Sequence, residues 1–217
     1  MTVRSLPQVV DLGSGATFFP FAIAQLGCSV TAIDADARAK SSMDRAIGAV
    51  STGAGAVTSV VSDARSIALE TESVDVVYCI SVLEHIPAFE TVIYEVRRVL
   101  RPEGFFVLTF DVGLRGNAEL GSASYARLME AIHDCFSLRY QEKIVHPLRI
   151  LTSDNSIYPM RLHRPILDHP LVVPLRQCLH STYNRLRGRP VPAGRFLAAT
   201  YGACLHKPGS PQSETEI

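Results

Sequence analysis

Short runs of apolar and β-branched residues alternate with segments of helical length over residues 1–145. Because a strand–helix–strand repeat places successive strands parallel in one sheet, the alternation predicts an open, doubly wound α/β sheet with helices on both faces. The predicted strands are Gln8–Leu12, Ser29–Ile33, Val57–Val61, Val74–Ile80 and Phe105–Phe110. The predicted helices are Thr17–Leu26, Asp36–Val50, Ala88–Leu100 and Ser124–Cys135, with a turn over residues 101–104.

Two later apolar runs complete the predicted sheet. Ser137–Lys143 and Phe196–Leu205 can pair antiparallel at one edge. The expected architecture is therefore a seven-stranded, mostly parallel sheet with one antiparallel edge strand, in three αβα layers.

Residues 146–195 differ in character from the rest of the chain. They contain eight arginines, two aspartates and seven prolines, whereas residues 1–145 carry a net charge of −5. Long segments of this kind within a compact domain are usually functional. We therefore expect a core domain over 1–145, a basic lid or substrate insertion over 146–195, the final edge strand over 196–206 and a flexible tail over 207–217.

Composition excludes several classes of protein. Apolar residues make up 47% of the 217, enough for a sizeable core, and no run approaches the ~20 apolar residues of a membrane span. The first ten residues lack the apolar stretch of a secretory signal. Twenty-one basic residues balance 21 acidic ones, which disfavours nucleic-acid binding. Five scattered cysteines without a CxxC pair predict neither a zinc site nor a disulfide framework, and they fit a cytoplasmic protein.

The sequence VVDLGSGATF at 9–18 runs a predicted strand directly into a glycine turn and a helix. Gly13 and Gly15 let a ligand approach the backbone, and Asp11 can help fix the turn or meet an ammonium group. Asp34 ends the next strand, where a carboxylate can accept both hydroxyl hydrogens of a ribose. Phe18 stands where a dinucleotide fold has its third glycine, so the pattern favours a nucleoside without phosphates. The alternative is an ordinary βα turn with a surface aspartate.

Polar residues also follow the third and fourth predicted strands. Asp63 ends the third strand and can accept a hydrogen bond from an adenine amine, or it can be a solvated loop residue. A polar cluster follows the fourth strand, in the segment DVVYCISVLEHIP at 75–87. Open α/β sheets bind their ligands at this carboxyl edge.

Taken in order, these segments resemble the class I S-adenosylmethionine-dependent methyltransferases, and most closely the small-molecule branch of that family. The likeness includes the glycine turn, AID at 32–34, SDA at 62–64, the segment 75–87 and VRRVLRPEGFFVLTF at 96–110. The resemblance implies a Rossmann-like fold with S-adenosylmethionine as cofactor and S-adenosylhomocysteine as product. It implies cofactor contacts from Asp11, Gly13 and Gly15 (methionine portion), Asp34 and Ala35 (ribose), Asp63 and Ala64 (adenine), and Ile80 and Ser81 (below the sulfonium).

The chain departs from the family pattern in two places. Thr17 replaces a third glycine that often follows Gly15 by two residues. Many relatives also carry N-terminal helices that cover the cofactor, whereas here the first predicted strand begins at Gln8. We expect either that the chain is truncated or that residues 146–195 provide the whole cover.

Methyl transfer to oxygen usually requires a base. His85 and Asp111 are the candidates, although each can equally be a packing or turn residue. Four groups in the basic segment can also reach the site, but each is more typical of a surface residue: His146, Asp154, His163 and His169. No metal-ligand spacing of the HExxH type occurs, so we expect no metal.

The acceptor is less well defined than the cofactor. A small molecule methylated on a hydroxyl oxygen is the leading hypothesis. A fainter likeness to glycan and cell-envelope enzymes would make the acceptor a sugar, and a hydroxyl or carboxyl of a secondary metabolite is the equal alternative. The arginines of residues 146–195 can bind an anionic acceptor, or they can solvate that segment. N- or C-methylation, a nicotinamide dehydrogenase and an inactive binding module remain alternatives. We expect a monomer or homodimer.

Overall fold

The computed structural model of the protein describes residues 6–115, 120–140 and 197–209. The expected insertion at 146–195 and most of the expected tail at 207–217 lie outside these residues. All structural statements below refer to the described part of the chain.

A seven-stranded sheet forms the centre of the fold, in the order β3-β2-β1-β4-β5-β7-β6. The first five strands are parallel, and β7 runs antiparallel to both of its neighbours. The strands are β1 Gln8–Leu12, β2 Ser29–Asp34, β3 Ala56–Val61, β4 Val74–Ile80, β5 Leu100–Arg115, β6 Ser137–Leu138 and β7 Leu197–His206. The helices are α1 Phe19–Gln25, α2 Ala37–Ile47, α3 Phe89–Val99 and α4 Ser122–Cys135, with a 3-10 turn at Leu83–His85.

This architecture confirms the predicted mixed α/β sheet, with two local differences. The antiparallel strand β7 lies one position inside the edge, because the two-residue strand β6 pairs with its outer side. The predicted turn at 101–104 is a bulge within β5: Leu100 pairs with Val74, and Phe105 then pairs with Val76. Glu103 adopts a left-handed φ of 63° there, which allows strand pairing to resume after the extra residues.

The two faces of the sheet pack against different helices. On one face α3 presents Val92, Ile93, Val96 and Val99 at helical spacing, and all four are fully buried against the sheet. Burying one such side chain stabilises the fold by roughly 1.5–3 kcal/mol. On the other face Phe21 and Met43 contribute to a smaller core with residues of β1, β2 and β4. The strands thus hold their carboxyl ends rigidly at one edge, where the predicted site residues lie.

Candidate functional site

A pocket of about 510 Å³ opens at the carboxyl edge of the sheet. It lies against the ends of β1 and β2, the loop after β3 and the segment that follows β4. The lining residues are Leu12, Gly13, Ile33, Asp34, Ala35, Ser62, Asp63, Ala64, Arg65, Ser81, Val82, His85, Ile86 and Pro87. Six of the nine predicted cofactor residues and one of the two predicted bases therefore line the same cavity.

Gly13 forms the closest backbone approach in the site. Its φ is 78°, and a Cβ atom there would lie 2.5 Å from Cγ2 of Val82. The amides of Gly13 and Ser14 both donate to the carbonyl oxygen of Ile33, at 2.9 and 3.0 Å. The turn is therefore fixed to the end of β2, and no side chain larger than hydrogen fits at Gly13 without displacement of Val82.

Asp34 links the glycine turn to the start of α2. Its Oδ2 accepts a hydrogen bond from the amide of Gly15 at 2.8 Å, and its Oδ1 accepts one from the amide of Asp36 at 2.8 Å. Each carboxylate oxygen has a second lone pair after these bonds are made. The carboxylate is thus held in place by the backbone and retains one acceptor position on each oxygen, which suits a diol.

Asp63 is held by a neighbour that the sequence argument did not identify. Arg65 donates to its carboxylate from Nε at 2.9 Å, from Nη2 at 2.5 Å and from its amide at 2.9 Å. These hydrogen bonds lower the pKa of Asp63 to about 2. Arg65 lines the pocket itself, so a ligand amine that approaches Asp63 meets an ion pair.

Asp11 lies at the end of β1 but does not line the pocket. It is 4% exposed, and burial raises its pKa to about 7, with a smaller contribution from the negative charge of Asp34. The Tyr78 hydroxyl, on the neighbouring strand, favours the charged form of Asp11, although the two groups do not reach hydrogen-bond geometry. Asp11 therefore titrates near neutral pH.

The end of β4 carries the residues expected below the transferred group. Ile80 is 44% exposed but lies outside the pocket lining. Ser81 lines the pocket and has a φ of 54°, which is uncommon for a residue other than glycine. Its amide donates to the Thr109 carbonyl at 2.9 Å. This backbone conformation turns the chain into the 3-10 segment that places His85 at the pocket.

Asp111, the second predicted base, lies outside the pocket lining and is held by two residues from other elements. Its amide donates to Oε1 of Glu84 at 3.0 Å, and its Oδ1 accepts from the Thr200 hydroxyl at 2.7 Å. Neither partner was predicted from sequence. For Glu84 a signal exists, since it is a charged residue among apolar neighbours directly after a buried strand.

The pocket fits a nucleoside. Asp34 offers one free acceptor position on each oxygen, the Gly13 turn leaves room beside the backbone, and Asp63 with Ala64 lies at the far side. Within residues 6–115, 120–140 and 197–209, no group of three His, Cys, Asp or Glu side chains is arranged to hold a metal ion. No helix in those same ranges has the length and apolar character needed to cross a membrane.

Comparisons with known proteins support this interpretation. A methyltransferase-domain family profile matches residues 10–108. The ubiquinone biosynthesis O-methyltransferase of Cupriavidus pinatubonensis is 31% identical over 109 residues, which make up 50% of this chain and 43% of that protein. The match thus spans less than half the length of that relative.

Solved structures share the fold at low sequence identity. A S-adenosylmethionine-dependent methyltransferase from Methanosarcina mazei has a TM-score of 0.60 at 16% identity, covering 96% of this chain and 95% of that one. The cyclase SpnF has a TM-score of 0.62 at 15% identity, covering 97% of this chain and 77% of that one. At such identities the likeness shows the fold alone.

The strand order, the glycine turn and the fixed carboxylate of Asp34 define an α/β domain with a pocket at the carboxyl edge of its sheet. The profile match over residues 10–108 and the curated relative show that this part of the chain is similar to the class I S-adenosylmethionine-dependent methyltransferases.

Proposed function

We propose that the protein transfers the methyl group of S-adenosylmethionine to a hydroxyl oxygen of a small-molecule acceptor. The observation that carries this proposal is the fixed Asp34 carboxylate, with one acceptor position left on each oxygen at the mouth of the pocket. The O-methyltransferase name of the curated relative supports oxygen as the acceptor atom. N- and C-methylation are the alternatives within the same chemistry.

Different residues of the pocket are proposed to contact different parts of the cofactor. Asp34 would hold the ribose hydroxyls, Asp63 and Ala64 would face the adenine, and the turn at Gly13 would lie beside the methionine portion. Asp11, when charged, would attract the ammonium group from beneath the site. When bound, the cofactor supplies a methyl group on a positively charged sulfur, which needs alignment and exclusion of water more than activation.

Two residues are proposed to accept the hydroxyl proton. His85 lines the pocket and is exposed, and Asp111 lies at the carboxyl end of β5. Its place in the pocket lining favours His85, whereas its fixed orientation favours Asp111.

The acceptor side is proposed from charge and topology. β7 runs antiparallel to β5, so its first residues lie at the carboxyl edge, and residues 146–195 come shortly before it in the sequence. The arginines of 146–195 would then favour an anionic acceptor, such as an acidic sugar or a carboxylated metabolite. The four free cysteines among the described residues are consistent with a reducing, cytoplasmic location.

Calorimetry tests the cofactor assignment. We expect micromolar binding of S-adenosylhomocysteine and S-adenosylmethionine and no binding of NADH. Asp34→Ala should weaken S-adenosylhomocysteine binding by about 10-fold or more, because a charge-assisted hydrogen bond contributes ~1.5–3 kcal/mol. Asp44→Ala is the matched control, since Asp44 is an exposed carboxylate on α2 that pairs with Lys40. Equal affinities of the two variants would refute the ribose assignment.

A transfer assay with methyl-labelled S-adenosylmethionine tests the acceptor. The probes are catechol, glucuronic acid and glycerol as hydroxyl acceptors, with ethanolamine as an amine acceptor. Label in one of the first three supports O-methylation, and label in the amine alone contradicts it. Cofactor binding without any transfer favours the inactive binding module.

A further inference from the structure

Neighbouring elements fix the position of Asp111 at the carboxyl edge through hydrogen bonds to its backbone and to its side chain. Asp111 follows Thr109 by two residues on β5, and Thr109 pairs with Ile80 on β4. Because side chains alternate along a strand, Asp111 lies on the same face of the sheet as Thr109, one repeat closer to the edge. That position lies two residues beyond the pair of Thr109 with Ile80, the last residue of β4.

Thr200 holds the side chain of Asp111. The two residues are a directly opposed pair of β5 and β7, and the Thr200 hydroxyl donates to Oδ1 of Asp111 at 2.7 Å. Opposed side chains in an antiparallel pair are close enough for such a contact without strain. The bond fixes the rotation of the carboxylate and engages Oδ1 rather than Oδ2.

Glu84 holds the backbone of Asp111. Its side chain is 7% exposed, and Oε1 accepts from the Asp111 amide at 3.0 Å. Burial raises the pKa of Glu84, and its Oε2 is buried without a hydrogen-bond partner among the described residues. Burial thus disfavours the charged form of Glu84 beside Asp111.

The titratable groups around this pair come from three elements. Cys79 of β4, His85 of the 3-10 turn and Asp111 of β5 all interact electrostatically with Glu84, and β7 contributes the uncharged Thr200. Burial raises the pKa of the Cys79 thiol, which is therefore neutral.

Building on the proposed methyl transfer, we infer that Glu84 and Thr200 are positioning residues that hold Asp111 as the oriented proton acceptor of the reaction. The acceptor oxygen forms a bond to the methyl carbon while the carbon–sulfur bond breaks, and that electron pair stays on sulfur. The hydroxyl proton passes to Oδ2 of Asp111 and then to solvent. Oδ1 keeps its hydrogen bond from the Thr200 hydroxyl throughout the reaction.

Direct titration of Asp111 tests the inference without any need for the acceptor. The measurement is the carboxyl carbon shift in protein labelled with ¹³C-aspartate and saturated with S-adenosylhomocysteine, with Asp111→Asn for assignment. Thr200→Val should raise the pKa of Asp111 by about half a unit or more, because it removes a hydrogen bond to the charged form. Thr200→Ser should leave that pKa within error of the wild type. Thr58→Val, at an exposed site on β3, is the matched control.

Turnover, measured with the acceptor probe that the wild type methylates, then separates a positioning role of these residues from a purely structural one. Thr200→Val and Glu84→Leu should lower kcat by about 10-fold without weakening S-adenosylhomocysteine binding, and the acid limb of the kcat profile should move up in pH for Thr200→Val. Glu84→Gln retains the acceptor for the Asp111 amide and should keep most of the rate. An unchanged Asp111 pKa in Thr200→Val overturns the inference while the proposed function stands. If the wild type does not bind S-adenosylhomocysteine, the proposed function is overturned instead.

Discussion

The amino and carboxyl edges of the sheet differ in how completely their polar side chains are paired. At the amino edge, the charged groups pair with one another: Asp75 accepts from the Gln8 amide and from Arg101, and Lys207 donates to Glu72 and to the Leu100 carbonyl. At the carboxyl edge, the Tyr78 hydroxyl and Glu84 Oε2 are buried without a partner among the described residues.

This difference shows that the amino edge uses these side chains to stabilise the fold, whereas the carboxyl edge keeps buried polar atoms that add no such stability. Buried polar groups are normally satisfied, so unsatisfied ones call for an explanation. Asp11 adds to the contrast, because it is a buried carboxyl whose pKa lies near 7 and which no arginine or lysine neutralises among the described residues. A cost in stability of this kind is typical of functional sites.

The largest effect should come from Gly13→Ala, which fills the space beside the glycine turn at the carboxyl edge. The new Cβ meets Val82, and the φ of 78° disfavours any side chain, so we expect at least ~100-fold weaker S-adenosylhomocysteine binding and a lower Tm. Adding Val82→Ala should recover part of the Tm, because it removes the clash but not the backbone strain. Calorimetry and thermal melts measure both. Wild-type affinity in Gly13→Ala would show that the ligand does not approach this turn.

A break at the amino edge should affect stability alone. Lys207→Met leaves the buried Leu100 carbonyl without its donor, which should lower the free energy of unfolding by about 1–3 kcal/mol. Urea unfolding measures the loss, and S-adenosylhomocysteine affinity should stay within about twofold of the wild type. A large loss of affinity would mean that the two edges are coupled rather than separate.

A third effect, that of Asp11→Asn on stability, should depend in size on pH. The folded-state pKa of about 7 lies above the unfolded value of ~3.9, so the wild type loses stability as pH rises between these values. Asp11→Asn should therefore gain up to ~4 kcal/mol at pH 8 and almost nothing at pH 4, while it binds S-adenosylhomocysteine less tightly at pH 8. Urea unfolding at both pH values checks this. A gain that is equal at both would contradict burial of a titrating carboxyl.

The fold followed closely from local patterns in the sequence. The strand Val74–Ile80 was predicted with its observed bounds, and α3 differs from its prediction by one residue at each end. β-branched runs and helical spacing determine these elements without reference to distant residues. The bulge at 101–104 was read as a turn, because its pairing with β4 and with Lys207 depends on tertiary contacts.

Site residues were predicted from the sequence only where the type and the position of a single residue indicate its role. Asp34 was recognised from its place after β2, but its bond to the Gly15 amide was not. Thr200 lies 89 residues from Asp111, and no local pattern relates the two. The ion pair of Arg65 with Asp63 was also missed, since an arginine in a loop is ordinary in composition.

The insertion of β7 between β5 and β6 sets the order in which the molecule can be completed. During synthesis the outer side of β5 has no neighbour until residues 197–206 have been made, so its hydrogen-bonding groups are exposed while most of the sheet already exists. The end of β5 that carries Asp111 is therefore the last part of this edge to gain its neighbour, and in a growing chain the residues that line the pocket are all made before Thr200, the partner of Asp111.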